Sequence, residues 1–402
     1  MKLLMNEDKI KRFYIMPEVW VTVTQSQVFN WIKLVNEQGL STDCISITDK
    51  KNSQEDVRKI EESIQGKFIQ VHDFKRLLVS DIYTFLVLFK YYLKNVFKYD
   101  KIIFQTRIGI GTSYFILNWL PKVKLIFEAR GAGNEETAHS NVGKKKNLKA
   151  NIKNAFSEKN EKYLLTKSDK IICVSEALKD YYINKFKMKR DVFTVFPGAA
   201  DSDYFYYNET LRTQLRAELS LNNKDVLVVY SGRLEMKWEI PDKIFEFFAD
   251  LHKKNNNFKL LLLTPDIDLA KEFIDKFGFN KIVYVRESSF KDVNKYLNGS
   301  DVGLLLRENI VMNNVASPTK FAEYLMAGLP VIISHSIFDF AKNIDDTKFG
   351  VVVKGLDEIM EDELVKLNKS LLVDRLKISN WGASNLSKEV FIKRYIQVLK
   401  NI

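Results

Sequence analysis

The feature that most constrains this chain is a recurring pair of patterns, a short apolar run followed by a stretch with helical spacing. Seven such runs punctuate the first half: Arg12–Met16, Asp43–Thr48, Lys67–Val71, Lys101–Gln105, Lys124–Phe127, Lys170–Val174 and Val192–Phe196. Six follow in the second: Asp225–Tyr230, Lys259–Leu263, Lys281–Val285, Val302–Leu306, Pro330–Ile333 and Gly350–Val353. Several are continuously apolar rather than alternating, the pattern of strands buried on both faces of a parallel sheet. Helical patterns fill most gaps, as at Gln25–Glu37, which Gly39 stops. The alternation predicts an α/β chain of two doubly wound, Rossmann-like domains joined between Pro197 and Leu221. With 402 residues, each domain has enough chain to bury its own core.

Composition removes several function classes. No apolar run reaches the roughly 18 residues of a membrane span, and the segment 1–8 is too short and too charged for a secretory signal. Cys44 and Cys173 each sit in an apolar, strand-like run and read as reduced core thiols, consistent with a cytoplasmic protein. Four histidines without ligand spacing, and two cysteines, argue against a dedicated metal site. The net charge of +11 is unevenly placed. Residues 1–200 hold 34 Lys and Arg against 22 Asp and Glu, leaving 28 against 29 for residues 201–402. A basic first half suggests a polyanionic surface as partner, membrane or nucleic acid.

Ligands of open α/β sheets bind past the carboxyl ends of the strands, which directs attention to a cleft between two such domains. Four places there carry chemistry. Arg107 follows the strand ending at Gln105, where an arginine is equally at home on the surface. Glu128-Ala129-Arg130-Gly131 follows Lys124–Phe127; its carboxylate is either a structural ion pair with Arg130 or a group that positions a hydroxyl. Gly232-Arg233-Leu234-Glu235-Met236-Lys237-Trp238 opens the second domain with two cations at the end of one strand. In Ser317-Pro318-Thr319-Lys320-Phe321-Ala322-Glu323-Tyr324-Leu325-Met326-Ala327-Gly328-Leu329-Pro330-Val331-Ile332, Ser317 is the expected helix N-cap and Pro318 the first helical residue. Gly328 is the expected stop. A helix N-terminus with Lys320 in its first turn can hold a phosphate, and Glu323 lies one turn further on, in reach of a hydroxyl attached to it.

The run from Ser317 to Ile332 closely resembles the donor-binding segment of the retaining family-4 glycosyltransferases of GT-B fold, in particular their bacterial surface-polysaccharide branch. The resemblance implies two Rossmann-like domains facing across a cleft: residues 1–203 for the acceptor, 204–384 for the nucleotide sugar, and a final helix, 385–402, crossing back. It also implies transfer of a sugar, with retained configuration, from a UDP- or GDP-linked donor to a lipid-linked glycan in capsule, O-antigen or related polysaccharide synthesis. Arg233, Lys237 and Lys320 would meet the donor diphosphate, with Ser317, Pro318 and Thr319 at the helix start and Glu323 on the ribose. The family's first glutamate falls on Val315, which cannot do that work, so Glu308 or Asn313 would take the sugar hydroxyls. Glu128 and Arg130 would position the acceptor. No cofactor beyond the nucleotide sugar and no metal are implied. The rival readings are a GT-B-like nucleotide-sugar epimerase and a non-catalytic binder of nucleotides.

One stretch bears on a membrane. In Leu77–Lys98 the lysines 90, 94 and 98 recur every four residues, one stripe of a helix whose remainder is apolar and aromatic, the composition of an interfacial helix. Arg107, Lys90, Lys94 and Lys98 are therefore the expected acceptor and membrane residues. A second basic cluster runs from Lys144 to Lys153. No RNA-binding motif accompanies these lysines, which leaves the inner face of the plasma membrane as the expected location and excludes nucleic acid.

Overall fold

A computed structural model describes residues 9–17, 28–74, 77–107, 117–133, 135–136, 148–236 and 238–402. It divides into two compact units. The first comprises Met1–Cys173, Lys179–Phe196 and Phe391–Ile402; the second comprises Val174–Leu178 and Pro197–Val390. Residues 197–203 and 385–390 thus group with the second unit.

Among the described residues the first unit has seven parallel strands: β1 (Ile10–Met16), β2 (Ser41–Thr48), β3 (Phe68–His72), β4 (Lys101–Thr106), β5 (Val123–Ala129), β6 (Lys170–Cys173) and β7 (Phe193–Val195), in the order β3-β2-β1-β4-β5-β6-β7. All of β1 is buried, including two cations that apolarity alone would place outside. Lys11 pairs with Asp43 at 2.8 Å. Arg12 donates to Thr42 Oγ1, Gln105 Oε1 and Tyr395 OH. The second unit has six parallel strands: β8 (Val226–Ser231), β9 (Phe258–Leu263), β10 (Val283–Arg286), β11 (Val302–Leu305), β12 (Val331–Ser334) and β13 (Gly350–Val353), in the order β10-β9-β8-β11-β12-β13. In both sheets the order reverses beside the unit's first strand, the switch point where doubly wound folds take their ligands. Every strand run read from the sequence is a strand, because each is an apolar segment with helices available to cover both faces.

The C-terminal helix is displaced slightly from its expected start. The helix expected over 385–401 is present as Lys388–Lys400, starting three residues later because a separate helix, Arg375–Leu386, ends just before it. Ser387 lies between them in extended backbone. Ala200 N–H donates to the Leu386 carbonyl and Lys388 N–H to the Ala200 carbonyl, a short parallel bridge that a continuous helix would forbid. The last helix buries Ile392, Tyr395 and Leu399 against Ile10, Ile103, Ile126 and Ile172 of the first sheet. Cys44 and Cys173 are both buried.

Candidate functional site

In the second unit, the segment after Val315 forms a helix over Thr319–Met326, one residue later than its sequence suggests. Pro318, not Ser317, takes the N-cap position, and among the described residues no side chain caps the helix. Ser317 is engaged elsewhere: its hydroxyl accepts from Gly198 N–H at 2.8 Å. A Cβ on Gly198 would collide with the Ser317 carbonyl, so this approach needs glycine. Pro318 removes an N–H that would have no partner, and the remaining first-turn N–H groups keep the partial positive charge of an uncapped N-terminus. Gly328 ends the helix at φ +77, as expected.

Lys320 rises from the first turn into the switch point between β8 and β11. Its ammonium lies 4.5 Å from the Tyr230 ring centre and 2.9 Å from Glu239 Oε1. Gly232, at φ +142, leaves the room: a Cβ there would lie 2.6 Å from Lys320 Nζ. Arg307, directly after β11, reaches the same Glu239 Oε1 at 2.7 Å. Burial pushes Lys320 below the usual lysine range; Glu239 pulls it up and Arg307 pushes it further down. Burial pushes Glu239 up, but Lys320 and Arg307 together overcome this and hold it below the usual carboxylate range. Arg233 faces the solvent, its side chain 59% exposed, while the buried Asp266 holds it at 3.2 Å. Asp266 also accepts from the N–H groups of Leu234 and Glu235 and so fixes the turn that presents the arginine. Lys237 lies outside the described residues.

Glu323 sits one turn beyond Lys320. Burial pushes its carboxyl up to about 7, while Lys320, Lys388 and the Thr319 hydroxyl pull the other way. In the loop after β11, the Glu308 side chain is exposed. Asn313 is buried, and its amide donates to the Glu308 carbonyl at 3.0 Å. Val315 is buried and offers only its carbonyl, which accepts from Ser175 Oγ.

In the first unit, Glu128 is the penultimate residue of β5, with its two carboxylate oxygens committed to different tasks. Oε2 accepts from Tyr14 OH at 2.8 Å and Gln105 Nε2 at 2.6 Å. Oε1 faces Arg130 Nη1 at 3.3 Å, and Arg130 itself stays partly exposed. Burial, and then the Glu128 charge, raise the Tyr14 phenol well above its ordinary range, so it remains a donor. Arg107 lies close enough for its charge to act on Tyr14 in the opposite sense.

Residues 232–398 match the family model of the glucosyltransferase 3-like C-terminal domain. No curated protein matches the chain in sequence. Solved structures match it along nearly its whole length. A glycosyltransferase from Rickettsia africae ESF-5 has 13% identity and a TM-score of 0.71, with 98% of each chain covered. Anabaena HepE in complex with UDP-glucose has 10% identity and a TM-score of 0.69, over 98% of this chain and 100% of that one. A TarM variant of S. aureus, in complex with fondaparinux, alpha-GlcNAc-glycerol and UDP, has 10% identity and a TM-score of 0.64, over 96% and 99%. The fold is that of the GT-B glycosyltransferases.

Within this GT-B fold, the second unit brings Lys320, Glu323 and the start of the helix at Thr319 to the switch point with Gly232 beside Lys320, whereas the Arg233 side chain turns to Asp266, after β9. Glu128 and Arg130 stand at the corresponding strand ends of the first unit. Sequence reasoning missed Glu239, Arg307 as its partner, and Asp266. Glu239 follows Lys237-Trp238 with no motif weight of its own, and a lone acidic residue in a loop is ordinarily solvated. Lys90 and Lys94 lie on the helix Leu77–Asn95, both exposed. Lys98 lies past its end, in a turn closed by Lys98 N–H donating to the Asn95 carbonyl, so the expected stripe of three is a stripe of two plus a turn residue. Of the Lys144–Lys153 cluster, the described residues include only backbone from 148 onward. Among the described residues no helix is long and apolar enough to cross a membrane.

Proposed function

We propose that this chain is a retaining glycosyltransferase of family-4 type that transfers a sugar from a nucleotide-diphospho-sugar, UDP- or GDP-linked, to a lipid-linked glycan acceptor in bacterial surface-polysaccharide synthesis. The observation that carries the reading is the placement of Lys320 beside an uncapped helix N-terminus at the sheet's switch point, with Arg233 at the end of the adjoining strand. Loss of a nucleoside diphosphate builds negative charge on the bridging oxygen, and preorganised cations stabilise that charge without reorganising. Arg233 and Lys320, with Lys237, supply it from the chain itself, which makes a metal ion unnecessary to the scheme.

Glu323 takes the ribose hydroxyls, and Glu308 or Asn313 the donor-sugar hydroxyls. The leaving diphosphate accepts the proton of the acceptor hydroxyl as the new glycosidic bond forms on the same face. Tyr14 and Gln105 hold one oxygen of Glu128, so the other, with Arg130, orients that hydroxyl. HepE and TarM were solved with UDP, which supports a uridine donor.

The same reading places the protein on the inner face of the plasma membrane. On the helix Leu77–Asn95, Ile82, Leu86 and Leu93 are each more than half exposed beside Lys90 and Lys94, and Phe97 just beyond is 93% exposed. Apolar groups in solvent interleaved with lysines suit the headgroup region of an anionic bilayer. Incubating purified protein with UDP- and GDP-sugars, with and without a polyprenyl-diphosphate-linked glycan, tests the whole reading. Product must appear only with acceptor and carry the donor's anomeric configuration in its NMR spectrum. Sugar isomerised without acceptor would instead identify an epimerase, and no turnover under any condition a binder.

A further inference from the structure

The ion network under the helix start has an unusual economy, because one carboxylate oxygen serves two cations. Glu239 Oε1 lies 2.7 Å from Arg307 Nη2 and 2.9 Å from Lys320 Nζ, and its side chain is only 3% exposed. The two cations differ in freedom. Arg307 is fixed: Nη1 donates to the Trp238 carbonyl, its N–H donates to Ser334 Oγ, and its carbonyl accepts from Ser336 Oγ. Lys320 stands on a flexible stem and keeps some exposure, with the Tyr230 ring on one side and Gly232 close by.

We propose that Glu239 is the positioning residue of this site, fixing the Lys320 ammonium over Gly232 as a cation aimed at the diphosphate of a nucleotide sugar, while Arg307 braces Glu239. The proposal rests on the reading of Lys320 as a diphosphate ligand. A buried lysine tends toward its neutral amine, and a neutral amine cannot stabilise phosphate charge. The groups facing Lys320 are Tyr230 from β8, Glu239 from the loop after it, Arg307 from the loop after β11, and Glu323 on its own helix. Among them Glu239 exerts the largest upward pull and Arg307 opposes it. Removing the Glu239 charge therefore leaves Lys320 beside an unopposed guanidinium, both less basic and free to swing.

The test follows Lys320 itself. Its reactivity toward an amine-acylating reagent, read peptide by peptide by mass spectrometry across pH, reports its titration without any ligand. Glu239→Gln should move the midpoint down by about one pH unit or more, and should weaken UDP binding about tenfold, the scale of one charge-assisted bond. Glu239→Asp, which keeps the charge, should restore most of the midpoint and show that the variants fold. In a Lys320→Ala background, Glu239→Gln should add little to the loss of UDP affinity. An unmoved Lys320 midpoint in Glu239→Gln, or full additivity with Lys320→Ala, would overturn the role of Glu239 and leave the donor site standing. UDP affinity untouched in Lys320→Ala would overturn the donor-site reading, and the proposal with it.

Discussion

Glu323→Gln separates the function of this carboxyl from its cost to the fold. Burial raises Glu323 from an ordinary 4.5 to about 7, and that value already includes the opposing pull of Lys320, Lys388 and Thr319. A folded-state value above the unfolded one means that the native state holds its proton more tightly. Below about pH 4.5 both states are protonated and the carboxyl costs nothing. Between about 4.5 and 7 the unfolded state ionises first, and above 7 the full cost is present. At about 1.4 kcal/mol per pH unit the limit is about 3 kcal/mol for a dry site. The side chain keeps some exposure, and solvent screening brings the expected cost to about 1–3 kcal/mol. Glutamine mimics the protonated form without titrating. Denaturant unfolding of nucleotide-free protein should therefore show the glutamine variant gaining on the wild type as pH rises from 4.5 to 7, then running parallel. A unit of this size melts roughly 2–4 °C higher per kcal/mol, so a thermal scan resolves the effect. The same variant should lose donor use about 10- to 100-fold, through a lost charge-assisted bond to the ribose. A stability difference that stays flat from pH 4 to 8.5 would refute the argument that burial holds this carboxyl near neutrality.

Other perturbations follow from the same geometry. Arg233→Ala and Lys320→Ala should depress turnover more than donor binding, with activity persisting in EDTA; a strict need for magnesium or manganese would contradict the cation scheme. Converting Lys90, Lys94 and Lys98 together to glutamate should release the protein from anionic vesicles, at about 1 kcal/mol per lysine, while sparing transfer to a short soluble acceptor; equal vesicle binding of variant and wild type would remove the helix Leu77–Asn95 as the contact. Gly198→Ala should destabilise the second unit by about 1–3 kcal/mol in a melt, because its Cβ must displace the Ser317 carbonyl at the helix start; an unchanged melt would show that this backbone approach is not needed.

The strands were legible because a continuous apolar run bounded by helical spacing has few other homes, and the two sheets follow from such runs alone. Beyond that, what sequence hides is partnership. Ser317 looks like a cap because serine often is one, yet Gly198 claims its hydroxyl from more than a hundred residues away. Lys11 and Arg12 look like the edge of a strand, but Asp43, Thr42 and Gln105 let both be buried within it. The last helix starts at Lys388 rather than Asn385 because the Ala200 backbone offers Ser387 a bridge. Lys320 and Glu323 were visible through their spacing on a helix, whereas Glu239 and Asp266 act only through cations brought to them by the fold.

The central claim is that the second unit recognises a diphosphate through Lys320 and the helix start beside it. Isothermal titration of uridine, UMP and UDP, repeated with the guanosine series, tests this without any acceptor. For one base the diphosphate should bind at least about tenfold tighter than the monophosphate, one charge-assisted contact or more. Lys320→Ala should erase most of that step while leaving nucleoside binding unchanged. Nucleoside, monophosphate and diphosphate of equal affinity in both series, or a diphosphate preference untouched by Lys320→Ala, would contradict it.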